Sequence, residues 1–227
     1  MSGVIATIGG VQVRSHGAYL AWISGLAVDA DGSPKAYHPD SRKGLDALAN
    51  AGKPGNWWGV ACNARGVPFV QGADDPAPGY YVSTTALCDT RFPASSCRRY
   101  VDAEAIPYIV LPKGMPGGAR LGDLAVVTNL ATGATCGAIW ADVGPRGKLG
   151  EGSIALARAL GINADPRKGG CRDGVLTVLF PGSGNRRPQV AEAIAARTSA
   201  LLAAHGIRNS RVRNEMALYK DGSAQDA

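Results

Sequence analysis

The chain contains a series of short apolar or β-branched segments, each bounded by glycine, proline or aspartate. Segments of this length and composition are typical of β-strands that end in tight turns. A first strand is predicted over residues 10–14, and further segments read GYYVSTTAL, YIVLP, LAVVTNL, TCGAIWADV and VLTVLFPG. Six or more such strands predict a mainly β fold, either a barrel or a sandwich.

Helices are predicted at three places in this pattern. Short helices are expected over residues 44–51 and 153–160, each followed by a glycine that can end a helix. A longer helix is expected over residues 188–205. Its apolar positions repeat with helical spacing, so that this helix can pack on the outside of the strands: Val190, Ile194, Leu201 and Leu202.

The length of 227 residues fits one domain, since single domains commonly contain roughly 50–250 residues. No internal repeat, low-complexity segment or linker divides the sequence. We therefore expect one domain over residues 1–227, with its core at about 10–184 and a C-terminal helix and basic tail at 185–227. We expect it to be a monomer.

No apolar run reaches the roughly 18 residues that a membrane span requires, so we expect no membrane association. Residues 18–28 are apolar, but they lack the basic leader and the small-residue cleavage site of a signal peptide. Three expectations stay open: export or delivery to a cell wall without such a signal, prior removal of a leader, or a cytoplasmic location.

The net charge of +6 raises the question of nucleic-acid binding. No aromatic side chains alternate with the late arginines to stack on bases. We therefore expect a solvated helix face and no nucleic-acid partner. The arginines concerned are Arg186, Arg187, Arg197, Arg208, Arg211 and Arg213.

The candidate metal ligands do not form a recognisable site. The five cysteines include no C-x-x-C pair and no nearby histidine, which argues against zinc. Cys88 and Cys97 flank a turn-rich insert and could form a disulfide in an oxidising compartment, with buried thiols as the alternative. The DADG sequence around Asp29 and Asp31 begins like a calcium loop but lacks the later acidic ligands. We expect neither a metal nor a cofactor.

Residues 138–156, AIWADVGPRGKLGEGSIAL, place two carboxylates at the ends of one strand, loop and helix unit. Asp142 is expected at the end of the strand and Glu151 at the beginning of the helix. Hydrolysis of a glycosidic bond uses a carboxylic acid to protonate the leaving oxygen and a carboxylate as base or nucleophile. The alternative reading is purely structural, with Glu151 complementing the helix dipole and Asp142 capping a turn.

Long motifs around this unit resemble the fungal-type chitosanases of glycoside hydrolase family 75. They lie between about residues 24 and 184 and read GNWWGV, VPFVQGADDPAPGYYVSTTAL, RYVDAEAIPYIVLP, GDLAVVTNL, ADVGPRGKLGEGSIALARALGI and VLFPGSG. The resemblance implies a catalytic pair in which Glu151 is the general acid and Asp142 the base that activates water. It also implies inverting, endo-acting cleavage of chitosan, a β-1,4-linked glucosamine polymer, by a single catalytic domain. The fold it implies is a small closed six-stranded barrel of the double-psi type.

Other aromatic and acidic residues are candidates for substrate binding. Trp140 and Tyr81 could stack on sugar rings, and so could one member of each pair Trp57–Trp58 and Tyr80–Tyr81, because consecutive strand residues face opposite sides. For each pair the alternative is one ring in the core and one at the surface. Carboxylates that could hold protonated amino groups, or that merely form turns, are Asp74, Asp75, Asp102, Glu104 and Asp123.

Two other functions stay open at this point. A net basic chain suits an anionic polymer better than polycationic chitosan, so the same chemistry could act on bacterial peptidoglycan, as a lysin or an exported antibacterial effector. The second alternative is a barrel that binds polysaccharide without cutting it. The presence of both Asp142 and Glu151 argues against that reading.

Overall fold

The computed structural model describes residues 3–207. The helices of this part are α1 (Ile154–Ala159), α2 (Ala191–Ala204) and two 3-10 turns, Leu48–Ala51 and Cys97–Arg99. The strands are β1 (Gly3–Ile8), β2 (Val11–Ser15), β3 (Leu20–Asp29), β4 (Gly52–Lys53), β5 (Asn56–Trp57), β6 (Tyr108–Pro112), β7 (Leu124–Asn129), β8 (Thr135–Gly144), β9 (Glu151–Ser153) and β10 (Cys171–Phe180).

Six of the strands close into a barrel. Their order is β3, β10, β7, β8, β6 and β9, and pairing of β9 with β3 closes the ring. The pairs β6–β8 and β3–β9 are parallel, and the other four are antiparallel. The prediction of a mainly β fold with a closed six-stranded barrel and peripheral helices is therefore confirmed, while the double-psi type stays a prediction.

The core explains why the barrel strands read as nearly continuous apolar runs. All five residues of β6 and the first five of β7 are buried, as expected for strands covered on both faces. Helix α2 covers β7 and β8 from outside and buries Ile194 and Thr198. Gly137 of β8 allows this approach, because a Cβ there would lie 2.3 Å from the Thr198 hydroxyl oxygen. Val190, predicted to belong to the packed stripe, is 62 % exposed.

Two predicted elements are wrong, the helix over residues 44–51 and the strand in the GYYVSTTAL segment. The predicted helix over residues 44–51 is only the 3-10 turn at its end, because the Arg167 guanidinium binds the carbonyls of Ser41, Gly44 and Asp46 and so holds the chain in an irregular course. The GYYVSTTAL segment is extended but makes only isolated bridges, such as Val70 to Tyr81, rather than a strand.

Several expectations concern parts of the chain beyond the barrel. Arg208, Arg211 and Arg213 of the basic tail lie outside the described residues. The prediction of one domain over the whole chain includes that segment and stays a prediction. In residues 3–207, neither α-helix has the length and apolar character needed to cross a membrane. All five cysteines are free thiols, including Cys88 and Cys97.

Candidate active site

The strand register brings the two predicted catalytic carboxylates to one face of the barrel. Strand β6 lies between β8 and β9, and its residue Val110 pairs with Asp142 on one side and with Glu151 on the other. Residues paired across neighbouring strands point their side chains to the same face. Two interstrand spacings of ~4.8 Å separate the two backbones by about 10 Å. The sheet therefore presents both side chains side by side.

Both carboxylates line one open pocket. Its volume is about 440 Å³, and Val110 lies in its wall between them. The aspartates in this wall are Asp29, Asp31, Asp46 and Asp142, joined by Glu151 and by the cations Lys148 and Arg167. Carboxyl groups therefore outnumber cations in the lining of the pocket.

The Asp142 carboxylate is held by backbone groups. Its Oδ1 accepts a 2.7 Å hydrogen bond from the Ala86 N–H, and its own carbonyl accepts one from the Trp140 indole N–H at 2.7 Å. Burial, with a smaller contribution from the Glu151 charge, raises the pKa of Asp142 to about 6, against the lowering effect of the Ala86 and Val143 N–H groups. Asp142 can therefore exchange a proton in the weakly acidic range.

Glu151 begins β9 rather than a helix. The sequence predicted it at a helix N-terminus, but α1 begins at Ile154 and its cap is Ser153, because residues 151–153 pair with β3 and β6. The Glu151 carboxylate is 21 % exposed and forms an ion pair with Lys148 Nζ at 3.0 Å. It is thus reachable from the pocket, and its cationic neighbour is half-exposed.

The loop between β8 and β9 needs a glycine immediately before Glu151. Gly150 has φ +85°, and a Cβ on it would lie 2.4 Å from the Gly25 carbonyl oxygen. Backbone of this kind favours glycine strongly. The glycine-rich sequence thus allows the loop to pass close to β3 and to bring Glu151 into the barrel.

Two further carboxylates of the site were not predicted to be part of it. Asp29 ends β3, and Asp31 follows it in the DADG loop. Oxygens of Asp29, Asp31 and Asp142 all lie within 4.8 Å of one another. Among the described residues this is the group whose spacing would suit a metal ion, so it is the part of the site where a cation would compete with protons.

Burial and hydroxyl donors determine the protonation and orientation of these two carboxyl groups. Burial raises the pKa of Asp29 to about 8 and that of Asp31 well above its usual range, and the neighbouring carboxylates add to both shifts. The Tyr37 hydroxyl donates to Asp31 at 2.7 Å. The Tyr108 hydroxyl lies 3.1 Å from Asp29 Oδ2 and 2.9 Å from the Asp31 carbonyl.

The sequence does contain a pattern that could identify Asp29 and Asp31 as part of the site. Two aspartates with one residue between them, at the end of an apolar segment, share a face of an extended chain. The same pattern begins like a calcium loop but lacks its later acidic ligands. The parallel pairing of β3 with β9 is what brings it beside Glu151, and this pairing leaves no local pattern.

The pair Trp57–Trp58 divides between core and surface, whereas Tyr80 and Tyr81 are both half-buried and lie outside the lining of the pocket. Trp57 packs on the core and against Tyr81, at 6.1 Å between ring centroids, whereas Trp58 is 61 % exposed and lines the pocket. The Trp58 indole N–H donates to the Asn50 carbonyl at 2.7 Å, which fixes the ring. Trp140 is 3 % exposed, so its faces are covered by protein. Trp58 therefore offers a sugar-sized apolar surface at the site.

The acidic candidates for amino-group binding lie elsewhere. None of them belongs to the lining of the pocket that contains Asp142 and Glu151. Asp75 accepts from the Gly72 N–H in a turn, and Asp102 accepts from the Glu104 N–H. Glu104 also accepts from Ser33, while Asp74 is exposed. Asp123, buried, accepts backbone N–H groups of two loops.

Comparison with protein families gives one match. Residues 73–208 match the family described as fungal chitosanase of glycosyl hydrolase group 75, which confirms the resemblance seen in the sequence. The matched region covers more than half of the chain and contains both Asp142 and Glu151. Asp29, Asp31 and Trp58 lie before it. A search of curated proteins finds no match.

Proposed function

The chain belongs to the fungal chitosanases of glycosyl hydrolase group 75, a glycoside hydrolase family, and we propose that it cleaves chitosan internally with inversion, using Asp142 and Glu151. The observation that carries this proposal is their shared pairing with Val110, which gives the pocket two carboxylates on one wall. A glycosidic bond lying across that wall meets both groups.

The two carboxylates take different roles in the proposed reaction. Asp142, as the anion, removes a proton from water while the water oxygen attacks the anomeric carbon. Glu151, as the acid, gives its proton to the leaving glycosidic oxygen as the bond breaks. Without substrate, the Lys148 ammonium group forms an ion pair with the Glu151 carboxylate. We propose that a bound sugar displaces this ammonium group, so that the Glu151 carboxyl can carry the proton.

The spacing of the strands supports inversion. Inverting enzymes keep their carboxyl groups ~6.5–9.5 Å apart so that water fits between base and sugar, whereas retaining enzymes need ~5–5.5 Å. The backbones of Asp142 and Glu151 are two strands apart, about 10 Å, with side chains on the same face. That separation favours a water between Asp142 and the sugar over direct attack by the carboxylate.

The carboxyl-rich lining of the pocket supports a glucosamine substrate. Protonated amino groups bind to carboxyl oxygens through hydrogen bonds, which are charge-assisted where the carboxyl is ionised, and five carboxyl groups line the pocket beside two cations. The exposed face of Trp58 lies beside them and suits the apolar side of a sugar ring. As the substrate is an extracellular polymer, we propose that the protein works outside the cytoplasm, as a monomeric single catalytic domain without a cofactor.

Glu151→Gln tests the catalytic assignment, because it keeps the shape of the side chain and removes its titratable proton. We expect reducing-end release from chitosan to fall by about 10²- to 10⁴-fold, with the same result for Asp142→Asn. The matched control is Asp74→Asn, an equal change at an exposed position outside the pocket, which should keep full activity. An active Glu151→Gln protein would overturn the assignment.

The stereochemistry of the first product tests inversion. Proton NMR of a β-1,4-linked substrate during early turnover should show the α-anomer before mutarotation, since one displacement inverts the anomeric carbon. A β-anomer would show retention. Binding of chitosan without release of reducing ends would instead favour a polysaccharide-binding barrel, and product sizes distinguish internal from terminal cleavage.

A further inference from the structure

A second cavity adjoins the catalytic pocket. Its volume is about 630 Å³, and it shares Val143 with the pocket that contains Asp142 and Glu151. Ala86, whose N–H holds the Asp142 carboxylate, also lines this second cavity. The strand end that carries Asp142 therefore forms the boundary between the two cavities, and a polymer bound at Asp142 can extend into both.

The lining of the second cavity is basic, in contrast to the carboxyl-rich lining of the catalytic pocket. Its lining contains Lys113, Arg120 and Arg186 and no acidic side chain, and we call it the basic cavity. All three cations are exposed, and within residues 3–207 none of them forms an ion pair. Their side chains are therefore available to an anionic group on a ligand.

The loops that carry the two arginines are tied together. The buried Asp123 carboxylate accepts hydrogen bonds from the backbone N–H groups of Arg120, Gly182 and Gly184, at 2.8 to 3.0 Å. A Cβ on Gly122 would lie 2.9 Å from the Arg186 Cα, so the two loops are in direct contact. This arrangement holds Arg120 and Arg186 next to each other before any ligand binds, which favours recognition.

Arg186 also has a backbone conformation that side chains rarely adopt. Its φ is +58°, and it is the one non-glycine residue of the described chain with a positive φ. Such a conformation costs free energy and persists where the surroundings impose it, commonly at binding and catalytic sites. Glycine would fit this position more easily, and the residue found there instead places a guanidinium in the lining of the cavity.

We propose that the basic cavity is a subsite for a carboxylate-bearing sugar. The preferred substrate is then a glucosamine-containing polymer in which a sugar with a free amino group binds in the catalytic pocket and a neighbouring sugar carries a carboxylate. De-N-acetylated bacterial cell-wall glycan has this chemistry once its stem peptides are removed, because its lactyl carboxylates are then free, whereas chitosan has amino groups only. This inference rests on the proposed function, since it names the substrate of the same site.

The two polymers should respond to the basic cavity in opposite directions. Arginine binds carboxylates through paired, charge-assisted hydrogen bonds, so the cavity stabilises a carboxylated sugar. The same three cations repel the ammonium groups of chitosan. We therefore expect kcat/KM on the carboxylated polymer to exceed that on chitosan by about 10-fold or more at low ionic strength, a difference that salt reduces.

The test uses the double variant Arg120→Gln/Arg186→Asn, in which asparagine tolerates the left-handed backbone at position 186. The matched control removes two exposed cations that line neither cavity, Lys53→Gln/Arg65→Gln. The probes are chitosan, carboxymethyl chitosan and de-N-acetylated peptidoglycan glycan freed of its stem peptides, each assayed for reducing ends at the same ionic strength. Thermal melting monitors folding of both variants.

The double variant should lose about 10-fold in kcat/KM on the two carboxylated polymers and gain on chitosan, while the control changes neither. Arg120→Glu should move the preference further toward chitosan. A parent enzyme that cleaves chitosan faster than both carboxylated polymers would overturn the inference and leave the proposed function intact. So would equal losses on all three probes. Activity on none of them would overturn the proposed function as well.

Discussion

Replacing Asp29 by asparagine should make the protein more stable at neutral pH. Asp29 is buried at the end of β3, and its Oδ1 accepts the Asp31 N–H at 2.9 Å. The Tyr108 hydroxyl has one proton and two acceptors, Asp29 Oδ2 and the Asp31 carbonyl. An amide at position 29 can donate to the Tyr108 oxygen while Tyr108 donates to that carbonyl. The hydrogen bonds thus survive the substitution, and the buried carboxylate is lost.

The magnitude follows from the pKa of Asp29. Burial first, and then the charges of Asp142 and Glu151, raise it from 3.8 to about 8. The folded protein therefore binds this proton more tightly than the unfolded chain does. The stabilisation that comes from binding this proton is complete below about pH 3.8 and is lost progressively as the pH rises toward 8. At pH 7 the loss is on the order of 4 kcal/mol, and sharing of the proton with Asp31 reduces it to roughly 2–4 kcal/mol.

Urea unfolding at pH 4 and at pH 7 measures this effect. Asp29→Asn should match the parent at pH 4 and exceed its free energy of unfolding at pH 7. Asp74→Asn, the same change at an exposed position, should differ from the parent by less than about 0.5 kcal/mol at both pH values. A gain that is equal at pH 4 and pH 7, or a loss at pH 7, would refute the assignment of a raised pKa to this carboxyl.

Four further outcomes are expected. The kcat/KM on chitosan should fall as the pH drops through about 6, because the Asp142 base must be ionised. If kcat/KM fell only near pH 4, the raised pKa of Asp142 would be contradicted. Trp58→Ala should raise KM about 3- to 10-fold with little change in unfolding free energy, since the ring is 61 % exposed; an unchanged KM would exclude sugar stacking there. Ser153→Ala should destabilise the fold by about 2–4 kcal/mol in urea titrations, because the hydroxyl accepts from the Tyr108 and Leu156 N–H groups and donates to the Ile106 carbonyl. Activity should survive dialysis against a chelator, because the carboxylates near Asp142 retain protons; a loss restored by a divalent cation would show that a metal binds there.

Elements with strong local signals could be predicted from the sequence. The segment YIVLP is β6, residue for residue, because it is apolar, β-branched and bounded by prolines. Helix α1 ends where Gly161 adopts φ +67°, and its N-terminal cap is a serine. Asp142 lies in β8, two residues before its end. In each case the residues that determine the structure are adjacent in sequence.

The rest depends on contacts between distant segments. Closure of the barrel by β9 and β3 joins residues more than 120 positions apart and brings Asp29 and Asp31 to the catalytic pocket. The hydrophobic periodicity of the sequence does not reveal a parallel pairing of only three residues per strand. Similarly, residues 44–51 have helical composition, but Arg167 takes up the carbonyls that a helix would use. These parts of the site became visible only with the tertiary structure.

The pairing of Val110 with Asp142 and Glu151 makes the position of the two carboxylates independent of the loop that follows β8. The distance between the two reacting groups is set by backbone pairing on both sides of β6, so it does not depend on the exposed residues at 145–148. The loop that joins β8 to β9 can accept changes at residues 145–147 as long as Gly150 and Lys148, the ion-pair partner of Glu151, are kept. Natural or engineered sequence changes in this loop can therefore alter the surface that contacts the polymer, while the separation of Asp142 and Glu151 stays constant.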